Sequence, residues 1–422
     1  MKKVLIITYY WPPSGGSGVQ RWLKFAKYLP EYGWEPIVVT PENPDFEVKD
    51  HSLEKDISPG LKVIKLPIWE PYKIMQRFKK RGNQQSDILK GGKKGIVNKA
   101  MLWLRGNLFI PDPRVFWVRP TVRELIRVIA SENINTVITT GPPHSLHLIG
   151  QKLKQKTGVK WIADFRDTWT TWTLYDSFYL SSPVRKLHSK MERSVLNQAD
   201  KVIAASGYYA QELGRLGNVE VSVITNGFDH EELNGNNLYK PEEFIIRHVG
   251  VIDELRNPIP LLEAARALYV EDQMPIKVEF VGNINQALKS YIEDDQVVAS
   301  FTSIQPYVSH DRVFELYRTA AVLLIVTFRN MPGNIPGKLF EYMTSGRPIL
   351  AVGPQEGDAA KLIKENKLGL ICEPEDKDGI KNAIRILFQQ FESLEPSHNT
   401  EDIGRFSRKS LTGNLAKILN QL

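Results

Sequence analysis

Short apolar runs bounded by breakers recur along the whole chain, with amphipathic stretches between several of them, and the rhythm starts twice. Runs at residues 4–7, 36–40, 136–140, 160–165, 201–206 and 221–225 read as buried strands. After the polar stretch DHEELNGNNLYKPEE they resume at 244–249, 277–281, 321–327, 348–352 and 369–372. A strand that is apolar on both faces needs cover on both, which helices on either side of a parallel sheet provide. The expected fold class is therefore α/β, with two similar halves joined near residue 239. Ligands of such sheets sit beyond the carboxyl ends of the strands, so they are expected in a cleft between the halves.

A chain of 422 residues with 42% hydrophobic and 24% charged side chains has the balance of a globular protein of two domains. Its one cysteine, Cys372, cannot form a disulfide within the chain, so nothing points to an oxidising compartment and cytosolic residence is expected. Lys2 and Lys3 precede an apolar run, but that run ends at Ile7, too short for a secretion signal, and no later segment offers about 18 uninterrupted apolar residues. The chain is expected to be neither exported nor membrane-spanning. Its net charge of +7 favours an acidic partner: a phosphate-bearing ligand, anionic lipid or nucleic acid.

The first strand leaves through YYWPPSGGSGVQRW. Gly15, Gly16 and Gly18 let backbone N–H groups come close to a guest, and a helix beginning near Val19 turns its positive end toward the loop, which suits an anion or a sugar hydroxyl. The alternative is a tight turn with no ligand. As a dinucleotide fingerprint the stretch fails, because Arg21 stands where the third glycine belongs and the second strand ends in Thr40-Pro41 without an acidic residue. This argues against a dinucleotide oxidoreductase.

In GNIPGKLFEYMTSGRPILAVG, residues 333–353, Pro336 suits the start of a helix that Gly346 stops, and Leu339, Phe340 and Met343 can face a core. Lys338 and Glu341 lie three apart on one face of its first turns. A cation near a helix start opposes the dipole, and makes better sense if an anion binds there. The alternative is a solvated Lys-Glu pair.

Taken in order, WPPSGGSGVQR, WIADFRDTW, ADKVIAAS, VITNGFD, HVGVIDELRNPIPLLEA and PGKLFEYMTSGRPILAV resemble a family 4 (group 1) glycosyltransferase over nearly the whole length. The resemblance implies the GT-B architecture of two facing Rossmann-like domains with a cleft between them. It also implies transfer of a sugar from a nucleotide-diphosphate donor, with retention of anomeric configuration and without a metal or other cofactor. Glu341 is similar to the second acid of the family's E-x7-E motif, which accepts from the donor ribose hydroxyls, and Lys338 lies where it reaches the diphosphate. Two positions depart from the pattern: the first acid falls at Gly333, and the first of two diphosphate-binding cations after Gly250 falls at Val251, leaving Arg256 as the second. The donor-binding set implied is Gly15, Gly16, Gly18, Gly250, Arg256, Lys338, Leu339 and Glu341.

The chemistry asks for such groups in its own right. Breaking a sugar-diphosphate bond builds negative charge on the leaving oxygens, and preorganised cations lower that barrier. Arg256, Lys338 and His144 form the expected catalytic set. His144 and His147 in GPPHSLH follow a strand end, and His144 is expected to meet a sugar hydroxyl; a metal site is disfavoured for want of a third ligand. Asp164 and Asp167 in DFRD either position an acceptor or cap a helix and pair with Arg166; with Arg21 they are the acceptor-side candidates.

Residues 72–120 break the rhythm, mixing Lys79, Lys80, Arg81, Lys93, Lys94, Lys99 and Arg105 with Met101, Leu102, Trp103, Leu104, Leu108, Phe109 and Trp117. The insertion is either a solvated loop with a core helix or a membrane-interface segment. No motif accompanies the charge that would favour nucleic acid. The sequence thus predicts residues 1–238 as an acceptor-side domain, completed by a carboxyl-terminal helix at about 402–422, and residues 239–401 as the donor domain. A cytoplasmic, hexosyltransferase-like enzyme of cell-surface polysaccharide or glycoconjugate synthesis is expected, acting on a glycan or lipid-linked acceptor and peripheral on the inner membrane face if the insertion binds lipid. The rival is a catalytically silent nucleotide-sugar-binding protein or assembly scaffold.

Overall fold

The computed structural model describes residues 1–46, 49–70, 96–229, 241–308, 310–393 and 403–422. The chain divides into two compact units, Met1–Asn226 with Arg408–Leu422, and Gly227–Ser407. The junction expected at 238/239 falls among residues 230–240, outside the described residues, as do Lys79, Lys80, Arg81, Lys93 and Lys94. The division comes earlier because the segment after Asn226 pairs within the second unit. The Phe228 N–H donates to Phe406 O at 3.2 Å, Phe228 bridges Ser407, and both Phe228 and Ile403 are buried in that unit's core.

The first unit is a seven-stranded parallel sheet built from β1 (Lys2–Ile7), β2 (Trp34–Pro41), β3 (Lys62–Leu66), β4 (Thr136–Gly141), β5 (Lys160–Phe165), β6 (Lys201–Ala204) and β7 (Val221–Val223). Their order is β3-β2-β1-β4-β5-β6-β7. Val4, Leu5, Ile6 and Ile7 are fully buried, as an apolar run covered on both faces requires. The order reverses between β1 and β4, and in register Ile7 pairs both Val39 and Thr139. The turns that follow β1 and β4 therefore open side by side at the switch point, where α/β sheets take their ligands.

The second unit is a six-stranded parallel sheet of β8 (Phe244–Val249), β9 (Ile276–Val281), β10 (Thr302–Gln305), β11 (Val322–Val326), β12 (Ile349–Val352) and β13 (Gly369–Cys372), in the order β10-β9-β8-β11-β12-β13. Its switch point lies between β8 and β11. The two strands that apolar runs do not reveal, β3 and β10, are outer edges of their sheets, where every residue keeps some exposure and no continuous apolar run is needed.

The last helix, Arg408–Asn420, belongs to the first unit. Leu411, Leu415 and Leu419 recur every four residues, which puts them on one helix face. They are buried with Val19, Trp22 and Phe25 of helix Ser17–Tyr28. Trp34 Nε1 donates to Asn420 Oδ1 at 3.2 Å, and Lys409 pairs with Glu31 at 2.6 Å. Among the described residues no helix is long and apolar enough to cross a membrane.

Leu415 has no exposed surface. Leu415→Ala is expected to lower the unfolding free energy of the first unit by about 2–5 kcal/mol, the cost of an unfilled core site. Denaturant titration followed by tryptophan fluorescence checks this; an unchanged midpoint would mean the helix is not part of that core.

Candidate functional site

Strand β8 ends in Val249, whose carbonyl accepts from a lysine of the second unit. Gly250 has φ 140°, a region L side chains rarely adopt, and a Cβ there would lie 1.3 Å from Lys338 Nζ. Gly282, with φ 126° at the end of β9, is needed in turn, since a Cβ there would come within 2.4 Å of Gly250 O. Two adjacent strand ends thus give up their side chains to admit one ammonium. Lys338, from helix Gly337–Met343, donates to Val249 O. Burial pushes its pKa down to about 8, the Glu341 charge working against this and the Arg256 charge with it.

Arg256 lies on the loop after β8. Its guanidinium lies over the Phe328 ring, 4.1 Å from the centroid, and donates to Asp253 Oδ2 at 2.7 Å. Burial lowers its pKa while Asp253 holds it up. Glu341 accepts from the Tyr317 hydroxyl through Oε2 at 2.8 Å. His248, buried on β8 with Nδ1 3.0 Å from Leu324 O, is pushed down to about 3 by burial first and by the Lys338 charge second, so it is neutral. The Val251 side chain, where the resemblance puts an arginine, is 46% exposed. This end of β8 therefore offers two cations, the Glu341 carboxylate oriented by Tyr317, and a neutral imidazole whose Nε2 has no hydrogen bond among the described residues.

Leu339 does not belong with them. Its side chain is fully buried in the core and its N–H donates to Pro336 O, because the helix turns residues 339, 340 and 343 inward and only 338 and 341 outward. Pro336 caps the helix start with no side-chain hydrogen bond.

The first-unit candidates sort differently. Arg21 and Asp164 are both buried and bonded to each other, Arg21 Nη2 to Oδ1 at 2.8 Å and Nε to Oδ2 at 3.3 Å. Trp22 Nε1 and Thr140 Oγ1 donate to the same carboxylate at 2.9 and 2.8 Å. Burial opposes ionisation, but the Arg21 charge and these donors hold the Asp164 carboxyl below its usual range. Both side chains are buried, and the pair ties helix Ser17–Tyr28 to strands β4 and β5. Arg166, the partner expected for Asp164, instead donates to Gly18 O at 3.0 Å and to Pro142 O, over the ring of Tyr10. It also accounts for Gly18, where a Cβ would lie 2.6 Å from Arg166 Nη1. The helix begins at Ser17, and Gly16 at φ 90° has open space beside it; Gly15 is partly buried. Asp167 is partly buried, its carboxyl pushed up by burial against the pull of Arg166.

His144 stacks on Trp169 with centroids 5.1 Å apart and planes 3° apart. Burial, then His147 and Arg166, holds its pKa well below the usual value, and Nδ1 has no hydrogen bond among the described residues. His147 is a core residue, Nδ1 at 3.0 Å from Thr139 Oγ1, with a pKa pushed down by burial to about 3. Asp112 caps the helix that follows, accepting from Ser145 N at 2.8 Å and Ser145 Oγ at 2.9 Å. Among the described residues no group of three His, Cys, Asp or Glu side chains is placed to hold a metal ion.

A family model for Glycosyltransferase Family 4 matches residues 99–232, and one for Glycosyl transferases group 1 matches residues 243–390, the part that carries Arg256, Lys338 and Glu341. The chain belongs to the family 4, group 1 glycosyltransferases. No curated protein matches it in sequence. Its fold is that of GT-B glycosyltransferases. A glycosyltransferase from Rickettsia africae ESF-5 is 15% identical, covering 100% of this chain and 98% of that one at a TM-score of 0.66. Sucrose-phosphate synthase from Thermosynechococcus elongatus is 14% identical, with 100% and 99% covered and a TM-score of 0.65. Anabaena HepE, solved in complex with UDP and glucose, is 14% identical, with 100% of both chains covered and a TM-score of 0.62.

In this glycosyltransferase, sequence reasoning missed Tyr317, His248, Phe328 and Asp253. His248 and Asp253 stand within the HVGVIDELRNPIPLLEA stretch, so a signal existed; Tyr317 and Phe328 give none, since aromatics at such spacing read as core.

Two outcomes follow from this geometry. Asp164→Ala should cost about 3–5 kcal/mol of stability by leaving the Arg21 charge buried and unpaired, with nucleotide affinity of the folded protein unchanged. Denaturation and nucleotide titration measure the two; intact stability with lost transfer would restore Asp164 to an acceptor role. Lys338, with a pKa depressed to about 8, attracts an anion only while protonated. Affinity for a nucleoside diphosphate should therefore hold below that pH and weaken above it by up to about tenfold per pH unit, and Lys338→Arg should remove the fall.

Proposed function

We propose that the protein is a retaining hexosyltransferase that takes a sugar from a nucleotide-diphosphate donor, without a metal ion, and passes it to a glycan or lipid-linked acceptor in cell-surface polysaccharide or glycoconjugate synthesis. The observation that carries this reading is Lys338 Nζ filling the space that the side chain of residue 250 would take, with Arg256 close enough to depress its pKa. Two cations forced together in partial burial repel each other, and a diphosphate relieves the repulsion. Glu341 accepts from the donor ribose. HepE, solved with UDP and UDP-glucose, supports the donor class by analogy.

Transfer then needs little from the protein beyond charge. The bond from the anomeric carbon to the phosphate oxygen breaks with its electron pair going to the diphosphate, where Lys338 and Arg256 stabilise it. The acceptor oxygen attacks from the same face and gives its proton to the departing phosphate, so no separate base is required. Because this stabilisation grows toward the transition state, removing either cation lowers turnover more than binding. Arg256 must exchange part of its bond to Asp253 for the phosphate. His144, neutral at ordinary pH, suits a sugar hydroxyl, and Asp167 is the acceptor-side carboxylate that is not consumed by a buried pair.

A role at the inner face of the cytoplasmic membrane is supported by Trp69, Trp103, Leu104, Leu108 and Phe116, all exposed, with Phe116, Arg119 and Arg123 on one face of helix Val115–Glu132. Leu102 and Trp117, by contrast, are core residues. The absence of a first acid at Gly333 favours one rival, a silent nucleotide-sugar-binding protein.

The test is turnover. A panel of nucleotide sugars incubated with the protein after exhaustive chelation should show slow donor hydrolysis for one of them, released first as the anomer of the donor. Lys338→Ala and Arg256→Ala should each lower that rate by about 10²–10³-fold. Binding of a nucleotide sugar with no hydrolysis and no transfer would favour the silent protein, and activity lost on chelation and restored by a divalent cation would rule out the metal-free mechanism.

A further inference from the structure

The chain itself engages one of the two oxygens of Glu341. Tyr317, on helix His310–Thr319 and 1% exposed, donates its hydroxyl to Oε2 at 2.8 Å. Its ring is held edge-on against Tyr342 at 4.8 Å and Phe314 at 5.6 Å. Tyr342, next to Glu341 in the chain, accepts the Val249 N–H through its hydroxyl at 3.0 Å, and Val249 O accepts from Lys338. The two tyrosines thus connect the carboxylate to the ammonium through the backbone N–H and C=O of one residue, Val249. A glutamate on a short helix has three side-chain torsions to lose when it binds a ligand; a fixed hydrogen bond from a buried phenol removes that loss beforehand. A carboxylate with Oε2 engaged presents Oε1 in one direction.

We propose that Tyr317 is a positioning residue for nucleotide recognition: it fixes the Glu341 carboxylate so that Oε1 accepts a ribose hydroxyl, and by doing so it gives the site its preference for ribonucleotides over their deoxy forms. The inference rests on the reading that Glu341 meets the donor ribose. It concerns selectivity rather than chemistry, so it acts on donor affinity and leaves the maximal rate at saturating donor unchanged.

The test is a titration of uridine, adenosine and guanosine diphosphates and their 2′-deoxy and 3′-deoxy forms against the wild-type protein, Tyr317→Phe, Glu341→Gln and the double variant. The wild type should favour one ribonucleotide over one of its deoxy forms by about tenfold, the scale of one charge-assisted hydrogen bond. Glu341→Gln should abolish most of that preference. Tyr317→Phe, which keeps the ring contacts, should reduce it by about threefold or more while leaving the deoxy affinity as it was, and the double variant should match Glu341→Gln. Tyr342→Phe keeps the bond to Glu341 and breaks the one to Val249, so it should weaken both forms alike; it supplies the behaviour of a merely structural change. If Tyr317→Phe weakens ribo and deoxy forms equally, or leaves the preference intact while Glu341→Gln removes it, the proposal is wrong and the ribose reading stands. If Glu341→Gln also leaves the preference intact, both are overturned.

Discussion

A half-buried ammonium is the constraint on which the second unit depends. Lys338 is placed where position 250 has no side chain, and the cost of taking its charge out of water appears as a pKa brought down to about 8. Several features of the neighbourhood follow from accommodating it. Gly250 and Gly282 yield space in succession, Val249 turns its carbonyl to the charge, and Tyr342 accepts the N–H of the same residue. The neutral state of His248 belongs to the same arrangement, since a second positive charge beside Lys338 would repel it. A polar cluster of this kind has no value for packing alone, because apolar residues of similar volume would fill the space at lower cost.

The first unit answers a similar problem in the opposite way. Asp164 is as deeply buried as any core residue, yet four donor groups close around it: two from Arg21 and one each from Trp22 and Thr140. Its charge is fully used inside the fold, where it locks a helix to two strands. Lys338 and Arg256 retain positive charge that the protein does not neutralise completely. The contrast separates a buried ion pair that the fold completes from two neighbouring cations whose charge the fold meets only in part, and both are written in the sequence as ordinary charged residues near strand ends.

Arg166 makes the same point for the glycine-rich turn after β1. The turn looks built for a guest, but its Gly18 is accounted for by an arginine of the same unit that donates to the Gly18 carbonyl and occupies the space of a Cβ. Close approach of backbone to something is what glycine signals; the sequence does not say whether that something is a ligand or another part of the chain.

By itself the sequence determined the strands that are buried on both faces, because a continuous apolar run has no other stable position, and it determined the restart of the pattern that makes two sheets. It also carried Lys338 and Glu341, because a cation and an acid three apart on one helix face are local features, and it carried Arg256 through the family resemblance. The tertiary structure decided what locality cannot contain. Edge strands β3 and β10 are half exposed and left no apolar run to read. Phe228 joined the second unit through Phe406 and Ser407, far along the chain, and through that unit's core. Tyr317 reached Glu341 across 24 positions, because the partner of a side chain depends on what is packed against its helix, and that comes from elsewhere in the chain.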